Sequence, residues 1–382
     1  MSAAGGRAKA FSAADERLMR RALVLAERGR GTTRPNPVVG AVVARGGRVL
    51  AEGFHSRAGL PHAEVNAFAR LPRGAARGAT LYVNLEPCCH TGRTGPCTDA
   101  ILAAGLARVV VGCLDPNPLV DGRGVARLRR AGVRVDVGCL EAESRAANRA
   151  FSIWARARRP LVTLKVAASL DGFIADGLPR ARGAPAWITG PRARLAAHEL
   201  RAAHDAVLVG SGTVLADDPR LTVRLAGAAP ALETPVRVVL DGRLRTPPDA
   251  RLLGGGPPTI VFTRRGASRA RARALRAAGA EVVELAPSRG RLSLAAALRA
   301  LAARDIQSVL VEGGAAVHGA FISAGFVDAF ALFVAPRLLG GGVPIAVGAG
   351  RGLGAALNLA DLELRRLGPD LLVTARAGSE AW

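Results

Sequence analysis

His62-Ala63-Glu64, then Pro87-Cys88-Cys89-His90, then Pro96-Cys97 is the stretch that decides how this chain is read. One imidazole and two thiolates (His62, Cys88, Cys97) are a donor set that holds Zn²⁺ tetrahedrally and leaves the fourth position to water. The metal brings that water's pKa down towards about 7. Glu64 stands two residues from His62 and can move the proton without occupying the metal. The motif also orders the elements. His62 and Glu64 sit on a helix, and the apolar strand Thr80 to Leu85 delivers Glu86-Pro87-Cys88.

His-x-Glu followed by Pro-Cys and a second Cys is the pattern of the zinc deaminases, in which water attacks a ring carbon and ammonia leaves. Eight residues separate Cys88 from Cys97 here. That insert is polar, cationic and Gly/Pro-rich, so it reads as a loop beside the metal, with Arg93 and Thr94 able to hold a phosphate or a ring substituent. The structural alternative is a closed site with Cys89 or His90 as fourth ligand, which would leave Glu64 idle.

At 382 residues and 49% hydrophobic, the chain supports two packed domains. The formal charge of +23 is almost all arginine, because Lys9 and Lys165 are the only lysines. The arginines are scattered through Ala/Gly/Arg-rich stretches, so specific nucleic-acid binding is not expected, although salt-sensitive adhesion to polyanions follows from the charge. Five cysteines, three of them at the metal motif, argue against a disulfide framework and suit a reducing cytoplasm. Neither a signal peptide nor a membrane-spanning apolar run is read from the sequence.

Residues 1–14 read as a tail, and an amphipathic helix opens at Ala14-Asp15-Glu16 with Leu18, Ala22, Leu25 and Ala26 at helical spacing. Asn36, held between Pro35 and Pro37, either caps the strand Val38 to Val43 or hydrogen-bonds a substrate. A hairpin through Arg45-Gly46-Gly47 leads to Val49–Phe54, with His55 just past its end. Thr98-Asp99 is positioned to cap a helix from Ala100 to Gly105. Strands at Arg108–Gly112 and Val133–Val137 complete an α/β sandwich on a largely parallel sheet. Glu141 to Ala157 reads as one helix, and a basic run to Pro160 marks a linker at 151–160 between domains at 15–150 and 161–378. The second domain is also α/β, with strands at Leu161–Ala167, Ala206–Val209, Val236–Leu240, Thr259–Phe262, Glu281–Leu285, Ser308–Val311 and Ala329–Val334 and a helix at Pro191–Ala203.

Gly210-Ser211-Gly212-Thr213-Val214-Leu215 begins like a dinucleotide fingerprint but has Leu215 where the third glycine should be. Glu312-Gly313-Gly314 precedes a helix and is either a tight turn or a place where phosphate meets free N–H groups. Lys165, one of two lysines in an arginine-dominated chain, is either a position that needs a compact ammonium or a lysine retained by chance. His198-Glu199 lacks a second His four residues on and is no zinc-protease helix.

Taken together these motifs resemble the bifunctional riboflavin-biosynthesis deaminase/reductases of bacteria, over residues 15–378. The resemblance rests on Asn36-Pro37-Val38-Val39-Gly40, the metal motif and Asp115-Pro116-Asn117-Pro118. In the second half it rests on Ser169-Leu170-Asp171-Gly172, Trp187-Ile188-Thr189, Val214 to Thr222 and Val311-Glu312-Gly313-Gly314. It implies a cytidine-deaminase-like α/β sandwich followed by a dihydrofolate-reductase-like α/β domain, with Zn²⁺ and NADPH as cofactors. The reactions implied are loss of the 2-amino group from 2,5-diamino-6-ribosylamino-pyrimidinone 5′-phosphate, then reduction of ribosyl to ribityl. Matching positions make His62, Cys88 and Cys97 the zinc ligands and Glu64 the proton shuttle, with Asn36, His55 and Arg93 around the ribotide. Ala167, Trp187, Thr189, Thr213, Asp217 and Gly314, Ala315, Ala316, Val317, His318, Gly319 and Ala320 would contact NADPH. Arg201, Leu221, Arg224 and Glu312 would contact substrate, and Lys165 would stand at hydride transfer. A homo-oligomer with no membrane partner is expected. Cys89 and Pro185 depart from the family's pattern, each standing where a serine is usual.

Overall fold

The computed structural model describes residues 11–91, 95–184, 186–225 and 234–378. They divide into two compact units between Ala157 and Arg158.

The first unit opens with α1 (Ala13–Glu27), whose N-cap Ser12 accepts the Asp15 N–H at 3.1 Å while its own N–H donates to Asp15. A sheet follows from β1 (Gly40–Arg45), β2 (Arg48–Phe54), β3 (Thr80–Leu85), β4 (Arg108–Cys113) and β5 (Arg134–Val137), in the order β2-β1-β3-β4-β5. β1 runs antiparallel to β2 and β3, whereas β3, β4 and β5 are parallel. The sheet is therefore mixed, not largely parallel, and the short Gly46-Gly47 turn accounts for the antiparallel β1–β2 pair.

Alternation along the strands divides the core. Val42, Ala44, Tyr82 and Val110 face Leu18, Met19, Ala22 and Leu25 of α1. Ala41, Val43, Leu81, Val83, Val109 and Val111 face α2 (Ala63–Phe68), α3 (Cys97–Ala104) and α4 (Arg123–Arg130) through Ala63, Ala67, Ile101 and Leu128. A Cβ on Gly53 would stand 2.3 Å from the Ala63 carbonyl oxygen, so glycine lets the start of α2 press on β2. α3 begins at Cys97 and not beyond Thr98-Asp99. Its N-cap is Pro96, and Thr98 is buried, accepting from Arg127 at 3.2 Å.

The helix expected over 141–157 is two, α5 (Glu141–Ala147) and α6 (Arg149–Ala157). The break is Asn148, whose side chain accepts from the Val38 N–H and donates to the Val38 carbonyl, both at 2.9 Å.

The second unit is one nine-stranded sheet, β11-β10-β9-β8-β14-β6-β15-β18-β17. Its strands are β6 (Leu161–Ser169), β8 (Ala206–Gly210), β9 (Val236–Leu240), β10 (Thr259–Arg264), β11 (Ala280–Leu285), β14 (Ser308–Val311), β15 (Ala329–Ala335), β17 (Leu359–Leu367) and β18 (Asp370–Ala377). Pairings from β11 to β15 are parallel, and β15-β18-β17 is antiparallel. Two short ladders, β7 (Phe173–Ala175) with β16 (Val343–Pro344) and β12 (Pro287–Ser288) with β13 (Arg291–Leu292), lie outside it. α7 (Pro191–Ala202), α8 (Ser211–Asp217), α9 (Arg269–Ala277), α10 (Leu294–Ala302) and α11 (Ala315–Ser323) supply the covering layers. The β17–β18 hairpin was not among the strands expected from sequence. Leucines and charges interleave along it without a continuous apolar run.

Candidate active sites

The first site forms where three element ends meet. His62 is the N-cap of α2, Cys88 follows β3, and Cys97 is the first residue of α3. His62 Nδ1 lies 3.1 Å from Cys97 Sγ and 3.5 Å from Cys88 Sγ, and the three donor atoms all fall within 4.8 Å of one another. The Cys97 N–H donates to Cys88 Sγ at 3.3 Å. Hydrogen bonds from the Cys97 thiol and from His62 outweigh burial and bring the Cys88 thiol down to about 4. The Cys97–Cys88 bond, together with burial, raises Cys97.

Among the described residues neither Cys89 nor His90 joins this group, and Cys89 Sγ leans instead towards the Leu119 carbonyl at 4.0 Å. Two sulfurs and one imidazole with no fourth side chain fit a zinc site that keeps one position open. Glu64 is 3% exposed, and burial, then the neighbouring Cys88 charge, raises its carboxyl above the usual range.

Asn36 and His55 come together beside the cluster. Asn36 Nδ2 donates to His55 Nε2 at 3.0 Å, so His55 carries its proton on Nδ1, which faces the Pro61 carbonyl at 3.2 Å. The His55 and His62 rings meet edge to face at 5.1 Å. Arg93 and Thr94 lie outside the described residues, as does Pro185 in the second unit. Sequence reading placed Glu86 beside Cys88 but gave it no role. Its buried carboxylate accepts the N–H groups of Asp115, Gly122 and Val125 at 3.2, 2.8 and 2.9 Å, tying the segment 115–125 to the strand end that carries Cys88. Burial pushes Asp115 up to about 7.

In the second unit a cavity of about 250 Å³ is lined by Lys165, Ala167, Trp187, Thr189, Arg201 and Arg224, along with His198 and Phe333. Glu312, at the end of β14, grips Arg201 with both oxygens (2.5 and 2.9 Å) and stands 3.5 Å from Lys165 Nζ. Burial alone would raise this carboxyl; Arg201 and Lys165 hold it down at about 2. Arg224 is lowered by burial and by the charges of Arg201, Arg220 and Arg251, so several cations face each other here. The Arg224 N–H donates to His198 Nδ1, and burial with those two arginines brings His198 down to about 4. His198 is thus a cavity residue that sequence reading set aside.

Other expected residues sit elsewhere. Thr213 Oγ1 accepts the Gly314 N–H at 3.1 Å, joining the starts of α8 and α11. A Cβ on Gly313 would meet Val317 Cβ at 2.7 Å, a packing reason for that glycine. Ala315, His318 and Gly319 point inward, and His318 Nδ1 lies 2.8 Å from the Ile345 carbonyl, whereas Ala316 and Ala320 are exposed. Leu221 is 2% exposed in the core, so only its backbone can meet a ligand, and Asp217 is an exposed residue at the end of α8.

A second cavity, about 380 Å³, opens past the C-terminal ends of β9, β10 and β11 between Gly242, Arg243, Arg264 and Arg265. Ligands of open parallel sheets bind at that edge. No local motif marks it, since its arginines come from separate strands in a chain full of arginine.

Residues 12–113 match the family profile of the cytidine and deoxycytidylate deaminase zinc-binding region, and residues 160–373 match that of the RibD C-terminal domain. The chain is 42% identical over 360 residues to the riboflavin biosynthesis protein RibD of Aquifex aeolicus (94% of this chain, 97% of that one). To RibD of Escherichia coli it is 41% identical over 375 residues (94% and 98%). Acinetobacter baumannii RibD superposes with a TM-score of 0.85 at 36% identity, covering 96% of this chain and 99% of that one. The diaminohydroxyphosphoribosylaminopyrimidine deaminase/5-amino-6-(5-phosphoribosylamino)uracil reductase of Thermotoga maritima gives 0.80 at 39%, with the same coverage. With a zinc-binding deaminase region and a reductase region on one polypeptide, the chain belongs to the RibD family, the bifunctional deaminase/reductases of riboflavin biosynthesis.

Proposed function

We propose that residues 15–150 hydrolyse the 2-amino group from 2,5-diamino-6-ribosylamino-pyrimidinone 5′-phosphate. Residues 161–378, joined by 151–160, then reduce the ribosyl chain to ribityl with NADPH. The observation that carries this reading is the His62–Cys88–Cys97 cluster with Glu64 buried alongside. Zinc, when bound, supplies water activated at neutral pH. Glu64 carries the proton from that water to the departing nitrogen, and its raised pKa suits a group that must both accept and donate. Asn36 and His55 hold the pyrimidine, and Arg93 takes the phosphate.

NADPH supplies the hydride in the second step. Arg201 and Arg224 bind the ribotide phosphate, which relieves the crowding of cations at that corner. Glu312 holds Arg201 in register and, 3.5 Å from Lys165 Nζ, keeps that side chain aimed at the reacting sugar. Ala167, Trp187, Thr189, Thr213, Asp217 and the exposed part of Gly314–Ala320 lie along the dinucleotide, and Arg243, Arg264 and Arg265 receive its phosphates. The free cysteines favour a reducing cytoplasm, and a homo-oligomer is the expected assembly.

Incubation with the diamino ribotide tests the whole reading. Ammonia should appear without NADPH, and NADPH oxidation should follow only once ammonia has been released. NADPH oxidation with no ammonia, or ammonia from a metal-free preparation, overturns it.

A further inference from the structure

We propose that α4, which carries no metal donor, is a clamp that sets the separation of Cys88 and Cys97. Glu86 and Arg127 are its two grips, positioning residues that govern how fast zinc is lost. This rests on the reading of His62, Cys88 and Cys97 as the ligands. The chain itself constrains the two cysteines weakly. Eight residues stand between them, and holding the ends of such a loop together costs entropy that the loop does not repay. Two hydrogen bonds link them directly, from the Cys97 N–H to Cys88 Sγ at 3.3 Å and from the Thr98 N–H to the Cys88 carbonyl at 3.2 Å. Such bonds fix a contact, not the placement of the end of β3 against the start of α3.

α4 starts at Gly122, which lies in the left-handed region (φ 82°) and offers no side-chain cap, and its first turn contains no acid. The unpaired N–H groups there need an acceptor. Glu86, 36 residues earlier in the chain, is that acceptor. Its oxygens take the Gly122 and Val125 N–H groups at 2.8 and 2.9 Å, and the positive end of a helix favours a carboxylate. A Cβ on Gly124 would stand 2.1 Å from the Pro87 carbonyl oxygen, so glycine lets the helix press on the residue before Cys88.

Further along the helix, Arg127 reaches the first turn of α3. Its Nη1 donates to Thr98 Oγ1 at 3.2 Å, and its Nη2 stands 2.5 Å from Asp99 Oδ1. Thr98 is fully buried and directly follows Cys97. Between the two grips Val125 and Leu128 pack in one cluster with Ile101 of α3, which fixes the helix against that element. One short helix therefore holds the segment of each thiolate, through contacts that lie outside the loop between them.

Release of zinc from the full-length holoprotein to a colorimetric chelator measures the clamp. Arg127→Gln and Glu86→Gln should each speed release about tenfold, as removal of groups that orient metal ligands does. The double variant should be within about twofold of the faster single one, because a clamp open at one end is already open; multiplied effects would mean two unrelated causes and overturn the proposal. Arg130→Gln, on the same helix but bonded only within it, should release zinc at the wild-type rate. Equal acceleration there would assign the effect to helix stability and overturn it too. Cobalt in place of zinc adds a reading that a merely less stable fold does not move: the d–d band of Arg127→Gln should shift, and an unchanged band counts against the clamp. Cys97→Ala separates the two readings. If it keeps its zinc, the ligand set falls and the clamp with it; if it loses zinc while Arg127→Gln and Glu86→Gln hold theirs as wild type does, the clamp alone is wrong.

Discussion

Glu64 and Glu312 are both buried carboxylates, and their neighbours drive them in opposite directions. Glu64 has burial and the Cys88 charge to raise it, whereas Glu312 is pinned near 2 by Arg201 and Lys165. Glu64→Gln keeps the shape and removes the proton carrier, so ammonia release should fall by about 10²–10⁴-fold with zinc content unchanged. Metal analysis beside the ammonia assay checks both halves of that expectation. Glu312→Gln should cost about 3 kcal/mol of folding stability, because it strips the charge that compensates buried Arg201. Since the folded pKa of Glu312 lies below its ordinary 4.5, its contribution is fully present above 4.5 and is lost as pH falls towards about 2. The gap between wild-type and Glu312→Gln denaturation free energies should therefore close across that window. At this scale the metal donors could be read from the sequence because ligand chemistry restricts both residue type and order. Glu86 and His198 could not, because what singles them out is what they touch: three backbone N–H groups in one case, and Arg201, Arg224 and the cavity wall in the other.

Among elements, the joint between α5 and α6 ties distant chain together. Asn148 holds both backbone groups of Val38, two residues after Asn36, so the end of the first unit fixes the entry to β1. Asn148→Ala should lower the stability of that unit by about 2 kcal/mol, because the buried Val38 N–H is left unmet while the Val38 carbonyl keeps Asn84 Nδ2 at 3.1 Å. Urea titration followed at Trp154 reads the loss, and an unchanged midpoint would remove the joint's structural role. Propensity favours helix through Glu141–Ala157, and only the partner 110 residues away shows why it must break. Strands flanked by turn residues were legible, with β9 and β14 matching in both bounds. β17 and β18 were not, because exposed antiparallel strands lack the continuous apolar run that marks a buried parallel one.

At the level of the molecule, two chemistries reside on separate compact units with separate cores. Glu64→Gln should therefore reduce pre-deaminated ribotide with NADPH at the wild-type rate. A matching loss of both activities in a folded variant would contradict independent sites. Two α/β units and their order could be read from strand spacing, whereas the mixed first sheet and the arginine cavity required coordinates, because both depend on which distant segments lie side by side. One feature of the second sheet bears on how it is made. β6, synthesised first, stands between β14 and β15, whose residues leave the ribosome about 150 positions later. The nascent chain can join β8, β9, β10 and β11 in turn, but its opening segment waits without either neighbour until the late strands emerge, which makes the synthesis of the chain between Ser169 and Ser308 the interval in which this protein most needs a chaperone.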